Sequence, residues 1–509
     1  MTHPPYMSVR KNIMAAAEAN PNSQMLWCNG EFVTFAEGLE FNRALAQEIS
    51  FGDTIALISD KNKSAYLTIF SSIVVGATYI PVNKSWNTDR IASVLRQTMP
   101  EFIACDSDWA NEHQNLITDL GYLKTALVFN NSDNEKGIFV FKKLVKSPSR
   151  LSSYKKQHLI DDLLYVMFTS GSTGEPKGVP VARASVDHYV GTMISTFQMG
   201  AGERWIQAVE LNFDLSVHDM LLAWNLSGCV VSIPADQSPM GPRFVKKLNV
   251  QNWLSVPSSA ARSFSLGLLK NNYMPSLKRS FFCGEALPTD IAIAWSKAAP
   301  QAPVINIFGP TEATIAFSWH GFSTNDTAGH IVPIGKPLSG LDMRLSEFQE
   351  IELAGPQVFS GYLENEEENR LKLVPDLDGK IWYKTGDKGA ISQGGVFEFV
   401  GRIDWQVKVR GNRIEIAEVE LAIRRSTGCG MASVVPINCV APGSYGDLVA
   451  FVDKKVDSSQ LKPLLNTLIP RYMIPEFCLE LVSFPHNSNG KVDRNALIEI
   501  AERNFGKNL

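Results

Sequence analysis

The sequence predicts an α/β fold: a large N-terminal domain of mostly parallel sheets flanked by helices, followed by a small α+β C-terminal domain. Three observations carry this. Short apolar runs of strand length recur through most of the chain. Helix-like stretches alternate with them, which is the order that parallel strands with crossover helices require. Near residue 400 the texture changes to short alternating segments and a charged helix.

The elements follow in chain order. DTIALIS at 53–59 reads as a strand, SAYLTIFSSIVVG at 64–76 as a helix and ATYIPV at 77–82 as the next strand. TALVFN, CVVSIP, WLSVP and VINIF read as further buried strands. In GGVFEFVGRIDWQVKVRGNRIEIAEVELAIRRS, two short alternating β segments precede a charged helix from about Ile416. LVAFVD then reads as a strand and SSQLKPLLNTLIP as a helix. The boundary falls at Arg402–Asp404, where glycines and a polar Arg-Ile-Asp link suit a hinge. The expectation is an N-terminal core over 1–402 and a mobile lid over 403–509.

Composition narrows the function classes. The 509 residues suffice for two or three domains, and 45% hydrophobic with 20% charged content is that of a soluble globular protein. A net charge of -4 gives no electrostatic case for nucleic acid or for an anionic membrane. Seven cysteines lie scattered, with no CxxC pair and no zinc spacing, as free thiols of a reducing compartment would. The N-terminus lacks an apolar signal core, and the run LTIFSSIVV is too short to span a bilayer. A cytoplasmic monomer without membrane insertion is expected.

The strongest local signal is Thr169-Ser-Gly-Ser-Thr-Gly-Glu-Pro-Lys-Gly178, directly after the apolar LLYVMF. Its three glycines let backbone N–H groups turn toward an anion, its four hydroxyls add donors, and Lys177 adds charge. It is not a Walker A loop, which needs GxxxxGK[ST]. A flexible Ser/Gly linker is the plain alternative, but a linker rarely follows a buried strand and ends in Pro-Lys-Gly.

TSGSTGEPKGV resembles the phosphate loop of the adenylate-forming superfamily, which includes acyl-CoA synthetases, luciferases and nonribosomal peptide adenylation domains. Four further motifs carry the resemblance in the superfamily's order. They are Phe308-Gly-Pro-Thr-Glu312, Tyr383-Lys-Thr-Gly-Asp387, the run GRIDWQVKVRGNRIE from Gly401 to Glu415, and Asn489-Gly-Lys-Val-Asp-Arg494. The resemblance implies ATP and Mg2+ as cofactors and an acyl-adenylate as intermediate. A carboxylate would attack the α-phosphate, so positive charge and preorganised donors are the main need.

Residue by residue, the resemblance implies that Thr169, Ser170, Gly171, Ser172, Thr173, Gly174 and Lys177 hold phosphates. Thr311 would meet the α-phosphate and Glu312 the magnesium. Gly284, Glu285 and Asn306 would belong to the ATP site, Phe308 would offer an aromatic face to adenine, and Asp387, supported by Arg402, would take the ribose hydroxyls. Lys491 would bridge the substrate carboxylate and the phosphate. Asp404 would be the hinge about which the lid turns, swapping Lys491 out and the Gly411 loop in.

Asp214, in FDLSVHD, stands where amino-acid-activating members bind the substrate's α-ammonium, and a buried charged hydrogen bond there contributes about 1.5–3 kcal/mol. Its plain alternative is a helix N-cap, and the two roles are compatible. The substrate pocket carried over by position is Asp214, Leu215, His218, Ser255, Phe281, Cys283, Ile307, Ile315, Ala316 and Lys491. Phe281 and Ile307 are bulky for pocket walls, so a small amino acid is expected. FCGEALP, GPQVFSGYL and FGPTEATIAF resemble the D-alanine–carrier protein ligases and the glycine–carrier protein ligases of lipid A modification. Glycine is favoured, then D-alanine, with serine an outsider. Cys283 reads as a small wall residue, and His218 as one that narrows the pocket or meets a polar substrate.

The chain shows no phosphopantetheine-attachment motif, so the acceptor thiol is expected on a separate carrier protein, with free CoA as the alternative. An acyl-CoA ligase for a small acid, a stand-alone enzyme of peptide natural-product assembly and a catalytically dead binding homologue are the competing readings. Asp214 opposes the first. Lys177, Glu312, Asp387 and Lys491 together oppose the last.

Overall fold

The structure, a computed structural model, describes residues 8–129, 162–169, 175–323, 326, 331–392, 394–403, 406–429, 431–453, 456, 458–481, 483–485 and 492–506. Two large sheets organise the N-terminal part. One orders six strands as Thr125–Phe129, Phe102–Asp106, Thr54–Ile58, Thr78–Val82, Leu163–Thr169 and Lys177–Ala182. All its neighbours run parallel except the last pair. The other has nine strands, and its six central ones are parallel in the order Val304–Phe308, Arg279–Phe282, Asn252–Ser255, Arg204–Gln207, Cys229–Ser232 and Gln24–Cys28. Antiparallel strands close both of its edges.

The two sheets share one core. Leu57, Tyr79 and Tyr165 of the first meet Trp205, Phe281 and Ile307 of the second around the helices Lys63–Val75, Arg183–Phe197 and Leu215–Asn225. The helix Lys63–Val75 is buried at every residue from Ala65 to Val74, which explains a sequence apolar all round. Asn62 caps it by accepting from the Ala65 N–H at 2.9 Å. Because strand side chains alternate, Trp253 and Phe282 face the opposite side, where their rings pack on Trp295 at 4.8 and 5.1 Å.

A third, antiparallel sheet of five strands spans Asp342–Leu345 to Phe397–Arg402. The C-terminal part has its own sheet around the long strand Ser444–Val452. That strand pairs in parallel with Gln406–Val409 at its start and with Phe477–Glu480 further on. Ala432–Ala441 runs antiparallel along its other side. Helices Ile416–Thr427 and Ser458–Asn466 cover one face and Arg494–Phe505 the other. The architecture is the α/β arrangement the sequence predicts, a large sheet-and-helix part followed by a smaller one. The apolar runs read as strands are strands, and the expected helices form over Lys63–Val75 and from Ile416. The helix read across SSQLKPLLNTLIP ends sooner, at Asn466. Among the described residues, no helix is long and apolar enough to cross a membrane.

Candidate active site

Functional side chains gather at the C-terminal ends of the parallel strands of the nine-stranded sheet, where open α/β sheets bind ligands. Gly284, Glu285, Asn306 and Phe308 line one cleft there with Asp387 and Arg402 of the antiparallel sheet and Lys408 and Gly443 of the C-terminal part. Arg402 Nη1 donates to Asp387 Oδ1 at 2.7 Å and to the Thr385 carbonyl at 3.1 Å, which holds the carboxylate at the cleft wall. Asn306 Nδ2 donates to the carbonyls of Val332 and Pro333 at 3.1 and 2.9 Å and fixes that segment as the opposite wall. Burial pulls the Lys408 ammonium below its usual pKa, against the opposing charge of Asp387.

Thr169 ends the strand Leu163–Thr169 and Lys177 begins the strand that returns beside it. Ser170, Gly171, Ser172, Thr173 and Gly174 lie outside the described residues, as do Asp404 and Lys491. Lys177 Nζ stands 3.0 Å from Glu368 Oε1 and 5.5 Å from the Tyr362 ring centre. The Tyr362 hydroxyl in turn donates to Glu312 Oε1 at 2.7 Å. Glu312 is fully buried, and Arg413 Nη1 donates to both of its oxygens at 3.2 and 3.1 Å. Burial alone would raise the Glu312 pKa. The Arg413 charge and the tyrosine bond outweigh it, and the carboxyl titrates below its usual range.

Asp214 occupies the N-cap position just before the helix Leu215–Asn225, but its side chain makes no capping bond. Its N-cap reading is therefore corrected: the residue has helical dihedrals, φ -65 and ψ -19, in place of the extended ones of a usual cap. Its carboxyl takes hydrogen bonds from Thr311 and from the Leu215 N–H, and its Oδ2 is buried with no partner among the described residues. Burial, opposed by the Thr311 bond and reinforced by the Glu312 charge, lifts its pKa to about 7. One turn on, His218 is completely buried, and its Nδ1 lies 2.6 Å from the Tyr189 hydroxyl. Burial depresses the imidazole to about 3, so it is neutral under ordinary conditions.

The remaining pocket positions converge on this core. Phe281 packs edge-on against His218 at 5.2 Å and Phe197 at 5.1 Å, behind the histidine. Cys283, Ile307, Ile315 and Ala316 belong to the same buried cluster. Ser255 is buried, but its hydroxyl turns to the Val256 carbonyl at 3.2 Å. Leu215 faces the other way, into a groove described below. Burial pushes the Cys283 thiol up to about 12, which suits a wall residue and not a nucleophile. The backbone here is strained: Ile315, β-branched, holds φ +71 and follows Thr314 at +57. Gln357 Nε2 braces the turn by donating to the Ala316 carbonyl at 2.8 Å. Gly309 is required beneath it, since a Cβ there would stand 2.7 Å from the Ala316 Cα.

The C-terminal part docks with the hairpin of strands Gln406–Val409 and Asn412–Glu415 in the site. The Gly411 N–H donates to Glu285 Oε1 at 2.7 Å, and the other Glu285 oxygen accepts from the Ser258 N–H, also at 2.7 Å. Gly411 has φ +84, a conformation that favours glycine. A second ion pair, Arg90 to Glu418, is buried at the same interface. Between the two parts runs a groove of about 770 Å³ that reaches Gly411 and is walled by Phe213, Leu215, Arg262, Arg410 and Tyr445. Sequence reasoning missed Arg413, Lys408, Tyr362 and Tyr189. The first two sit inside a motif already quoted and Tyr362 inside GPQVFSGYL. Nothing in the sequence marks Tyr189.

The cleft brings Asp387, Arg402 and Phe308 together with Lys408 of the C-terminal part, and the buried carboxyls of Asp214 and Glu312 lie in the adjoining core. The profile of the AMP-binding enzyme family matches residues 14–363, and the chain belongs to that family. It is an ATP-dependent, AMP-forming ligase. It is similar to the D-alanine--D-alanyl carrier protein ligase of Staphylococcus epidermidis, 30% identical over 86% of this chain and 88% of the relative. The enzyme of that name from Staphylococcus aureus is 28% identical over 96% of this chain and 98% of the relative. Among solved structures, the Vibrio cholerae adenylation domain AlmE in complex with glycyl-adenosine-5'-phosphate is similar with a TM-score of 0.84. It is 27% identical, covering 99% of each chain.

Proposed function

We propose that the protein activates a small amino acid, glycine first and D-alanine next, as its aminoacyl-adenylate. It then hands the aminoacyl group to the phosphopantetheine thiol of a separate carrier protein, in service of cell-envelope modification. The observation that carries this reading is Asp214, a buried carboxylate with an unpartnered oxygen beside Thr311. Such a group is expensive to bury unless a cation completes it, and an α-ammonium is the cation an amino acid brings. A fatty or aryl acid would leave it unmet. The names of the relatives, a D-alanyl carrier protein ligase and a glycyl-adenylate complex, support the same substrate class.

In this reading Asp387 and Arg402 hold the ribose, Phe308 faces the adenine and Thr311 the α-phosphate. Glu312 is a hard oxygen donor of the kind magnesium takes alongside phosphate oxygens, and magnesium would offset the charge of the pyrophosphate leaving group. The chemistry of the site fits that ion, provided Arg413 is withdrawn from the carboxylate. Lys491 would orient the carboxylate for attack in that withdrawn state, the lid turning about Asp404 between a core over 1–402 and a lid over 403–509. The docked state described above, with Gly411 at Glu285, is the one suited to thiol transfer. The groove of about 770 Å³ that reaches Gly411 is the route by which a tethered thiol would enter. Seven unpaired cysteines fit a cytoplasmic enzyme.

Exchange of labelled pyrophosphate into ATP across a panel of amino, fatty and aryl acids tests the proposal. Glycine or D-alanine should drive exchange, and Lys491→Ala should abolish most of it while ATP still binds. Exchange driven only by a fatty or aryl acid would overturn the substrate class. Full activity of the Lys491 variant would overturn the mechanism. Transfer assayed with a holo carrier protein against free CoA then decides the acceptor.

A further inference from the structure

The helix Leu215–Asn225 begins at the cleft and runs inward. Asp214 and His218 are four residues apart and therefore share a face, separated by about one turn of 5.4 Å. A substrate held at Asp214 by its ammonium, with its carboxylate toward Thr311, would direct any side chain toward that next turn. The turn is occupied. His218 is wholly buried there, its ring edge-on to Phe281 at 5.2 Å and to Trp205 at 5.6 Å. Its remaining constraint comes from the helix Arg183–Phe197, through the 2.6 Å bond with the Tyr189 hydroxyl.

The hydrogen bond has a preferred sense. With the hydroxyl as donor to Nδ1, the histidine carries its proton on Nε2, and one buried polar group is left without a partner among the described residues. The opposite sense strands two, the tyrosine O–H and a bare Nε2. The first is therefore favoured. An apolar pair of similar shape would satisfy this core better, so packing alone gives no reason for a histidine. Direction does: a hydrogen bond fixes the ring plane, which a leucine or methionine in a loose cluster would not do.

We propose that Tyr189 is a specificity-determining positioning residue: it holds His218 as a partition across the side-chain end of the substrate pocket, and so restricts the enzyme to glycine. This rests on the amino-acid reading given above and deepens it. Tyr189 touches no reacting atom and acts through the histidine.

The test is the ratio of kcat/KM for glycine over D- and L-alanine in pyrophosphate exchange. It is measured on the wild-type protein, Tyr189→Phe, His218→Met and His218→Ala, with the melting temperature and the KM for ATP recorded alongside. The wild type is expected to prefer glycine. Tyr189→Phe should lower the ratio several-fold, and His218→Ala should lower it about tenfold or more, within the range one methyl group can command. His218→Ala should also admit a larger side chain. The KM for ATP should stay unchanged in all three. His218→Met keeps the volume and serves if the alanine variant fails to fold. Its ratio should fall like that of Tyr189→Phe. Folded variants whose ratios stay within twofold of wild type would overturn the partition, as would a wild type that prefers alanine. A wild type driven by no amino acid would instead overturn the proposed function itself.

Discussion

Asp214 titrates near neutrality because burial outweighs the bonds it receives, and this makes its ligand's affinity depend on pH. Below about 7 the carboxyl of the free enzyme is protonated. An incoming ammonium favours the carboxylate, so binding must release a proton. The KM for the amino acid is expected to rise as pH falls from 8 to 6. Calorimetry in buffers of different ionisation enthalpy should find close to one proton released per site near pH 6. The sign for folding runs the other way. Native Asp214 keeps a proton that the unfolded chain gives up between the usual 3.8 and about 7, so its contribution to stability falls as pH rises through that window. Asp214→Asn should remove both effects, and a KM slope that survives in that variant would assign the pH dependence elsewhere. At this scale the sequence was legible where a motif fixed the residue: Asp214, Thr311, Glu312, Asp387 and Arg402 all converge. It was illegible where a contact joins distant segments. Arg413 reaches Glu312 across 101 positions, and no spacing announces that. Tyr189 lies in the mixed helix RASVDHYVGTMISTF, where a tyrosine beside a valine reads as ordinary core.

Parallel strands are the elements most readable in this chain, because burial on both faces makes each a continuous apolar run. The antiparallel sheet between Asp342 and Arg402 was not readable in the same way. Its strand Ile381–Ile391 contains Lys-Thr-Gly-Asp-Lys, polar residues that sit in a strand because specific bonds meet them. Thr385 donates to the Ile351 carbonyl at 2.8 Å, and Asp387 receives Arg402. The central helix Lys63–Val75 rests on a local device that can be isolated. Asn62 caps it, and the same amide also donates to Ser59 Oγ at 3.0 Å and Asp106 Oδ1 at 2.9 Å. Asn62→Ala should lower unfolding free energy by about 1 kcal/mol, the usual worth of such a cap, in urea titrations. The KM for ATP should not change, since none of the described cleft residues touches this cap. An effect on ATP with intact stability would refute a purely structural role.

At the scale of the whole molecule, two ion pairs on buried glutamates and one hydrogen bond join the C-terminal part to the core: Arg413 to Glu312, Arg90 to Glu418, and the Gly411 N–H to Glu285. Each joins the N-terminal core to the C-terminal part, and Arg90 stands apart from the cleft lining. Removing one member of a buried pair leaves a charge unmatched. Arg413→Ala is therefore expected to slow single-turnover thiol transfer about tenfold or more. Pyrophosphate exchange, which in the proposed cycle uses the C-terminal part in its other position, should be kept within a few-fold. Arg90→Ala should show the same asymmetry more weakly. Equal loss in both half-reactions would mean that these pairs merely stabilise the fold.

The guanidinium on Glu312 also bears on reversibility. Adenylate formation runs backward whenever pyrophosphate and its magnesium return to the cleft, and with Glu312 assigned to the metal that return needs a vacant carboxylate. Arg413 gives both Glu312 oxygens a cation supplied by the chain itself. While it is seated, magnesium pyrophosphate would find that carboxylate taken, and on the proposed reading the adenylate would be guarded against its own back reaction. Which cation holds this one buried glutamate would then set how fast the first half-reaction reverses, without altering its equilibrium.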